Sequence, residues 1–324
     1  MIRLAPALAL AIALVLGDLS ASAQQASSVP VVGVLMVYRG PGDFVVSSVR
    51  KGLTDLGYVD GRNIKVEYRA AQGQLDLLPQ LAEELMRLGA RVIVVGAEPP
   101  ARAVEKASGT VPIVIVAADH DPVASGLINS YSHPSGNITG IFSRQSELVG
   151  KRLELLKEAL PNTWRVAVFW DTNSQRQLEE VEPAARVVGV QLERIELRAP
   201  YDFAAAFRAA KRKNAKAVMV LFSPVFEQER ARLVDSAHQN RMPTVFQFES
   251  SVVAGGLMSY GPSVPALFQR SAYYIDRLLK GAKVSDLPVE QASNFKLVIN
   301  LKTANALGIT IPESVLSRAD EVIR

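Results

Sequence analysis

The sequence predicts an α/β protein of two lobes, each built on a parallel sheet, joined by a hinge that the chain crosses more than once. Short apolar runs alternate with amphipathic helical stretches along nearly the whole chain. Several runs, VPVVGVLM at 29–36 and VPIVIVAA at 111–118 among them, are apolar at almost every position, as strands covered on both faces must be. The alternation restarts after Gly140, so two β-α-β series follow one another, and 324 residues are enough for both.

In the first series the strand at 29–36 is followed by a helix from Phe44 to Leu56, which stops at Gly57, a residue free to take a left-handed cap. DGRN then turns the chain into a strand, IKVEY. The next helix, 75–88, sets Leu78, Leu81, Leu85 and Leu88 on one face. RVIVVG, the short helix PPARAVEKA and VPIVIVAA complete the series, and such repeats imply right-handed crossovers. The second series begins beyond SGNITGIFS: helix 151–160, strand RVAVFW, helix 177–188, strand VQLERIEL, helix 204–213, strand AVMVLF, helix 227–240, strand TVFQF. A tail follows, with a long helix at 266–280, a strand FKLVINL at 295–301 and a short helix. Recrossings are expected near Tyr260 and Leu287. They give a first lobe of 29–141 plus about 261–285 and a second of 142–260 plus about 288–324. A few dihedrals at such crossings can open or close a cleft.

The N-terminus reads as a secretory leader, residues 1–23. Arg3 precedes an apolar run from Leu4 to Gly17 that is too short to span a bilayer, and Ala21-Ser22-Ala23 offers the small residues a signal peptidase needs. Cleavage after Ala23 would leave a periplasmic protein. The chain has no cysteine, which removes both disulfides and a lipid-bearing N-terminal cysteine. The net charge of +4 is spread over helix ends rather than gathered in an aromatic-interleaved stripe, so no nucleic-acid partner is expected.

ADHDPVASG, 118–126, sits directly past an apolar strand. In a parallel sheet the loops at the carboxyl ends of the strands line the ligand crevice. Asp121 suits a helix N-cap and Pro122 a first helical position. His120 has no second histidine at helical spacing, and His133 and His238 lie in unrelated segments, so no metal is expected. Alternation in an extended segment puts Asp119 and Asp121 on one face, where they could meet a ligand's amine.

Other strand ends carry aromatic and polar residues. Tyr38, Phe142, Trp170, Phe222, Phe248 and Tyr260 fall at or just past predicted strand termini, where flat side chains can enclose a planar or apolar ligand or else pack their own lobe's core. Arg39, Glu98, Asp171, Ser223 and Glu249 are placed to orient a small zwitterion, and the segments after Pro99, Pro122 and Pro224 offer helix N-terminal N–H groups to a carboxylate. The sequence lacks a nucleophile elbow, a phosphate-binding loop and a dinucleotide-binding glycine turn after the first strand, and no cofactor is expected. Two alternatives stay open: a periplasmic hydrolase using Asp119, Asp121 and Asp171, and the ligand-presenting subunit of a sensor.

GLTDLGYVDGRNIKVEYR, LAEELMRLGARVIVV, DPVASGLI, GNITGIFSRQSELVGKRLELLKEALP, VAGGLMSYG and NFKLVINLKTANALGITIPESVLSRADEVI together resemble the substrate-binding proteins of ABC transporters, in the tryptophan/tyrosine-type uptake family. The resemblance covers nearly the whole mature chain. It implies the type I periplasmic-binding-protein fold, two Rossmann-like lobes with a multi-crossing hinge. It also implies a monomer that captures a small amino-acid-like or aromatic ligand and delivers it to a membrane permease and its ATPase. By position, the ligand-facing residues would be Tyr38, Arg39, Gly96, Ala97, Glu98, Asp119, Asp121, Phe142, Asp171, Ser223, Phe248 and Glu249. VYRG, GAEPP and ADHDP depart from the smaller polar residues common in that family at these places, so the lining here is larger and more charged.

Overall fold

Strand polarity and helix return set the architecture. The computed structural model describes residues 29–38, 44–117, 121–143 and 145–324. Val31–Met36 (β1), Lys65–Ala70 (β2), Ala90–Val95 (β3), Ile113–Ala117 (β4) and Ile138–Phe142 (β5) form one sheet with Glu290–Gln291 (β11), in the order β11-β5-β4-β3-β1-β2 and parallel throughout. Phe44–Asp55 (α1), Leu78–Arg87 (α2) and Glu98–Ala107 (α3) make its crossovers.

Alternation along the strands divides its core into two layers. Val32, Val34, Val92, Val94, Val114 and Val116 face one way, against α1, while Leu35, Ile93, Val95, Ile113, Ile115 and Phe142 face α2 and α3. The valine-facing layer is completed from far along the chain by Val264–Leu279 (α10), which contributes Leu267, Phe268, Ala272 and Ile275. α1 and α10 approach so closely that a Cβ on Gly52 would lie 2.2 Å from the Gln269 carbonyl oxygen. Tyr58 donates to Asp276 at 3.0 Å and Gln269 to Asp55 at 2.8 Å across the same seam.

The second sheet repeats the plan with Arg165–Trp170 (β6), Gln191–Glu196 (β7), Ala217–Val220 (β8), Thr244–Phe246 (β9), Met258–Pro262 (β10), Phe295–Asn300 (β12) and Glu321–Ile323 (β13), in the order β13-β12-β10-β9-β8-β6-β7. Gln145–Ala159 (α4) leads into β6, and Gln175–Val188 (α5), Phe203–Arg212 (α6), Pro224–Gln228 (α7), Arg230–Gln239 (α8) and Glu249–Val253 (α9) connect its parallel strands. Leu301–Leu307 (α11) and Glu313–Leu316 (α12) follow β12. β12 is antiparallel to β10, because the chain re-enters this sheet from the other lobe instead of through a crossover helix.

Three passages join the sheets: from β5 to α4, from β10 to α10, and from β11 to β12. The third segment stays with the first sheet as far as Gln291, beyond the expected boundary near Leu287. It is held to β5 by Thr139 Oγ1 donating to the Leu287 carbonyl at 2.6 Å and by Ala292 N–H donating to Phe142 at 2.7 Å.

Several elements differ from the sequence expectation. β5 occupies the stretch expected as the junction between the two series, and its five residues include a glycine and a threonine. Gly140 explains both: its φ is +140°, and a Cβ there would lie 2.1 Å from the Ile115 carbonyl oxygen, so only glycine lets β5 lie beside β4. α4 starts six residues before the expected Lys151, and the single helix expected over 227–240 is two, broken at Glu229. Asp121 caps a turn rather than a helix: Oδ1 accepts from Val123 and Ala124 N–H at 2.9 and 3.2 Å, but Gly126, at φ +69°, ends the turn at once. We expect Gly140→Ala to cost about 3 kcal/mol or more, through strain and a steric clash that backbone cannot yield to; urea denaturation will show a lower midpoint with an unchanged slope.

Candidate functional site

Each sheet has a switch point where strand order reverses, between β1 and β3 in one and between β6 and β8 in the other. Crossover loops diverge there and leave a crevice at the carboxyl ends of the strands. Tyr38 follows β1, and Gly96, Ala97 and Glu98 follow β3; Asp171 follows β6, and Ser223 follows β8.

Asp171 is the polar centre of the second lobe. Its side chain is 1% exposed. Oδ1 accepts from Asn173 N–H at 2.9 Å and the Ser174 hydroxyl at 3.3 Å, and Oδ2 from Asn173 Nδ2 at 3.1 Å, the Tyr201 hydroxyl at 3.3 Å and the Ser223 hydroxyl at 2.5 Å. The Asp171 and Ser174 pair forms a capping box, so a local turn explains why the chain folds this way. Ser223 in turn caps α7 by accepting from Val225 N–H.

Tyr38 of the first lobe lies within electrostatic range of this carboxylate. Burial raises the Tyr38 phenol above its ordinary pKa, and the charge of Asp171 adds to the effect. The same two causes, burial first, raise Tyr201, whose phenol also feels Tyr38. Residues from opposite sheets therefore share one electrostatic environment. Tyr38 also lies over Gly73, where a Cβ would be 2.8 Å from its ring.

Apolar contact joins the lobes beside this polar cluster. Phe248, at the end of β9, is 7% exposed and packs with Phe222 edge to face at 5.6 Å. Both join the hydrophobic cluster that contains Val34, Val94 and Phe268 of the other lobe. Beside them lies a small concavity of about 20 Å³, room for little more than one water molecule, lined among others by Phe222, Ser223, Phe226, Glu227, Gln247 and Phe248. Glu227 accepts from the Ser250 hydroxyl at 2.8 Å and pairs with Arg230 at 3.3 Å. Loss of hydration outweighs both partners and raises its pKa.

Other expected site residues fall elsewhere. Phe142 is 1% exposed and stacks on Tyr131 at 4.6 Å, inside the layer between the first sheet and α2 and α3; alternation turns it away from the face that Ile141 shares with Phe248. Glu98 pairs with Arg102 one turn along its own helix at 3.3 Å. Gly96 makes room for Met36 and Phe268, whose atoms a Cβ would meet at 2.4 and 3.2 Å. Ala97 is the extended N-cap of α3. Glu249 accepts from Ser263 and pairs with Lys296, both at 3.5 Å, and so braces two of the passages between lobes. The Asp121 carboxylate is used by its own turn and by the Tyr131 hydroxyl. Arg39 and Asp119 lie outside the described residues. Among the described residues no group of three or more His, Cys, Asp or Glu side chains could hold a metal ion, and no helix is long and apolar enough to cross a membrane.

Tyr201, Glu227 and Gln247 were missed by sequence reasoning. Tyr201 sits past β7, which has no place at the switch point. Gln247 did carry a signal, a lone amide between two phenylalanines at the end of an apolar strand. Arg152 of α4 was also missed: it is fully buried, its Nε donates to the Tyr260 carbonyl at 2.8 Å, and burial pulls its pKa down to about 9, which leaves it charged at neutral pH.

Two doubly wound lobes, threaded by three passages and meeting at their strand ends, define a two-lobed binding protein. The family model for ABC transporter substrate binding proteins matches residues 31–323, and the chain belongs to that family. It is 27% identical over 263 residues to the "Tyrosine-binding protein" of Clostridioides difficile (strain R20291), a match spanning 79% of this chain and 74% of that one. Among solved structures it is similar to a conserved domain protein from Vibrio cholerae, with a TM-score of 0.81 and 29% identity over 91% of this chain and all of that one. It is also similar to an ABC domain from Streptococcus pneumoniae in complex with L-Trp, with a TM-score of 0.80 and 28% identity over the same shares. The chain is therefore a solute-binding component of an ABC transporter.

Removing the Asp171 carboxylate strands several buried donors. Asp171→Ala will lower unfolding free energy by about 3 kcal/mol in chemical denaturation. Glu227 behaves oppositely. Because its folded pKa lies above the unfolded value of 4.5, its contribution is fully present below that pH and is lost as pH rises through the folded value. Glu227→Gln will accordingly raise Tm at pH 7, and the gain will shrink towards pH 4.

Proposed function

We propose that this chain captures an aromatic, amino-acid-like solute between the carboxyl ends of its two sheets and hands it to the permease of an ABC importer, whose ATPase drives uptake. The observation that carries this reading is the joining of the lobes at their strand ends, where Phe222 and Phe248 pack with Val34, Val94 and Phe268 and where Tyr38 of one lobe lies within electrostatic range of Asp171 and Tyr201 of the other. A solute gripped there touches both lobes, and ligand contacts to both are what favour a closed hinge over an open one. The proposed contacts are Tyr38, Asp171, Ser223 and Phe248. Arg39, Asp119 and Asp121 are retained as further candidates, with the backbone of Gly96 and Ala97, Glu98 and Glu249.

The ligand class rests on the family, on the tyrosine named for the Clostridioides difficile relative and on the L-Trp held by the Streptococcus protein. The compartment rests on the leader at 1–23, cut after Ala23, which would release a monomer into the periplasm. Binding without turnover is the expected chemistry.

Thermal shift and calorimetry with L-tryptophan and L-tyrosine test the reading, because a solute that binds only the folded state raises Tm, by about 2.7 kcal/mol of stability at one hundred times Kd. Phe248→Ala will weaken that affinity by roughly 1 to 3 kcal/mol through lost apolar burial. Recovery of a chemically altered solute would point to the hydrolase instead, and capture of a histidine kinase in place of a permease to the sensor subunit.

A further inference from the structure

Among the described residues two glutamines of the second lobe are buried, and they contrast. The amide of Gln177 is satisfied at both ends by one residue: Nε2 donates to the Phe222 carbonyl at 3.2 Å, and Oε1 accepts from Phe222 N–H at 3.0 Å. Gln247 is 5% exposed and neither its Nε2 nor its Oε1 has a hydrogen-bond partner. A buried amide left without partners is costly, and native chains rarely keep one without a reason.

Its position supplies the reason. Gln247, between Phe246 and Phe248 in the chain, is among the residues that line the concavity, as are Phe222 and Phe226. Its backbone is fixed, since Gly261 of the adjoining strand lies so close that a Cβ there would sit 2.1 Å from the Gln247 carbonyl oxygen. A recess of that size, with phenylalanines and an unpaired amide among its lining residues, suits the polar tip of an aromatic ring rather than the whole ring. A phenol hydroxyl can donate to Oε1 and accept from Nε2, and an indole N–H can donate to Oε1.

We infer that Gln247 is a specificity-determining residue that reads the polar tip of an aromatic ligand, so that the site accepts phenol- or indole-bearing amino acids and rejects the bare phenyl ring. The inference rests on the proposed capture of aromatic amino acids and adds the criterion by which they are sorted. A site that hydrogen-bonds a ligand group rejects the analogue lacking it, because the buried partner is then left unpaired; discrimination of about 100-fold or more is expected.

The experiment measures Kd for L-tyrosine, L-tryptophan and L-phenylalanine by calorimetry, on the full mature chain and on Gln247→Leu. In the unaltered protein L-phenylalanine binds about 100-fold more weakly than L-tyrosine. In Gln247→Leu the ratio collapses from both sides, with L-tyrosine weakened and L-phenylalanine strengthened. The ligand-free variant should also melt at a higher temperature, since leucine removes an unpaired amide, whereas a merely structural amide would lower it. Gln247→Met serves the same comparison if the leucine variant fails to fold. Binding of all three amino acids with a tyrosine to phenylalanine ratio that neither variant changes overturns the role of Gln247 and leaves the capture function standing. Failure of all three to bind the unaltered protein overturns both.

Discussion

A parallel strand must end where the chain leaves the sheet, and every return helix brings it back to the same starting edge. The loops that follow the mutually parallel strands β1 to β5 and β6 to β10 therefore lie at one end of each sheet, and the reversal of strand order at β1 and β3, and again at β6 and β8, spreads them apart. The face on which these loops gather is a product of strand direction before it is a product of any side chain. Asp171 shows the consequence: its capping turn, its bonds to Tyr201 and Ser223 and its influence on Tyr38 all follow from its lying one residue past β6.

Much of this was legible in the sequence. Fully apolar runs such as IVIVA at β4 announce strands covered on both faces, and the clean split of Val114 and Val116 from Ile113 and Ile115 into separate layers is the same fact seen in three dimensions. What could not be read were the elements whose existence depends on a neighbour. β5 needs Gly140 only because Ile115 is there, and β11 has two residues and no signal apart from the edge it completes. The antiparallel course of β12 likewise reflects where the chain comes from rather than what it is made of.

Site residues were legible in a weaker sense. Placement at a strand end brought Tyr38, Asp171, Ser223 and Phe248 forward as candidates, because that property belongs to the strand. It could not separate Phe248 from Phe142, which differ in the face of the sheet they occupy, and one position along a strand decides that. Nor could it show that the carboxylates of Glu98 and Glu249 are engaged by Arg102 and Lys296, partners supplied by a helix turn and by a distant strand.

The late return of the chain to its first lobe also governs how the molecule can be made. α10 and β11 come from residues 264–291, so a ribosome must have finished most of the second lobe before the material that seals the first exists. Until then the valine layer of β1, β3 and β4 lies bare on the side α10 will cover. Neither lobe can mature as an independent piece, and a nascent chain halted before residue 264 would be a sticky fragment in need of a chaperone rather than half of a working receptor.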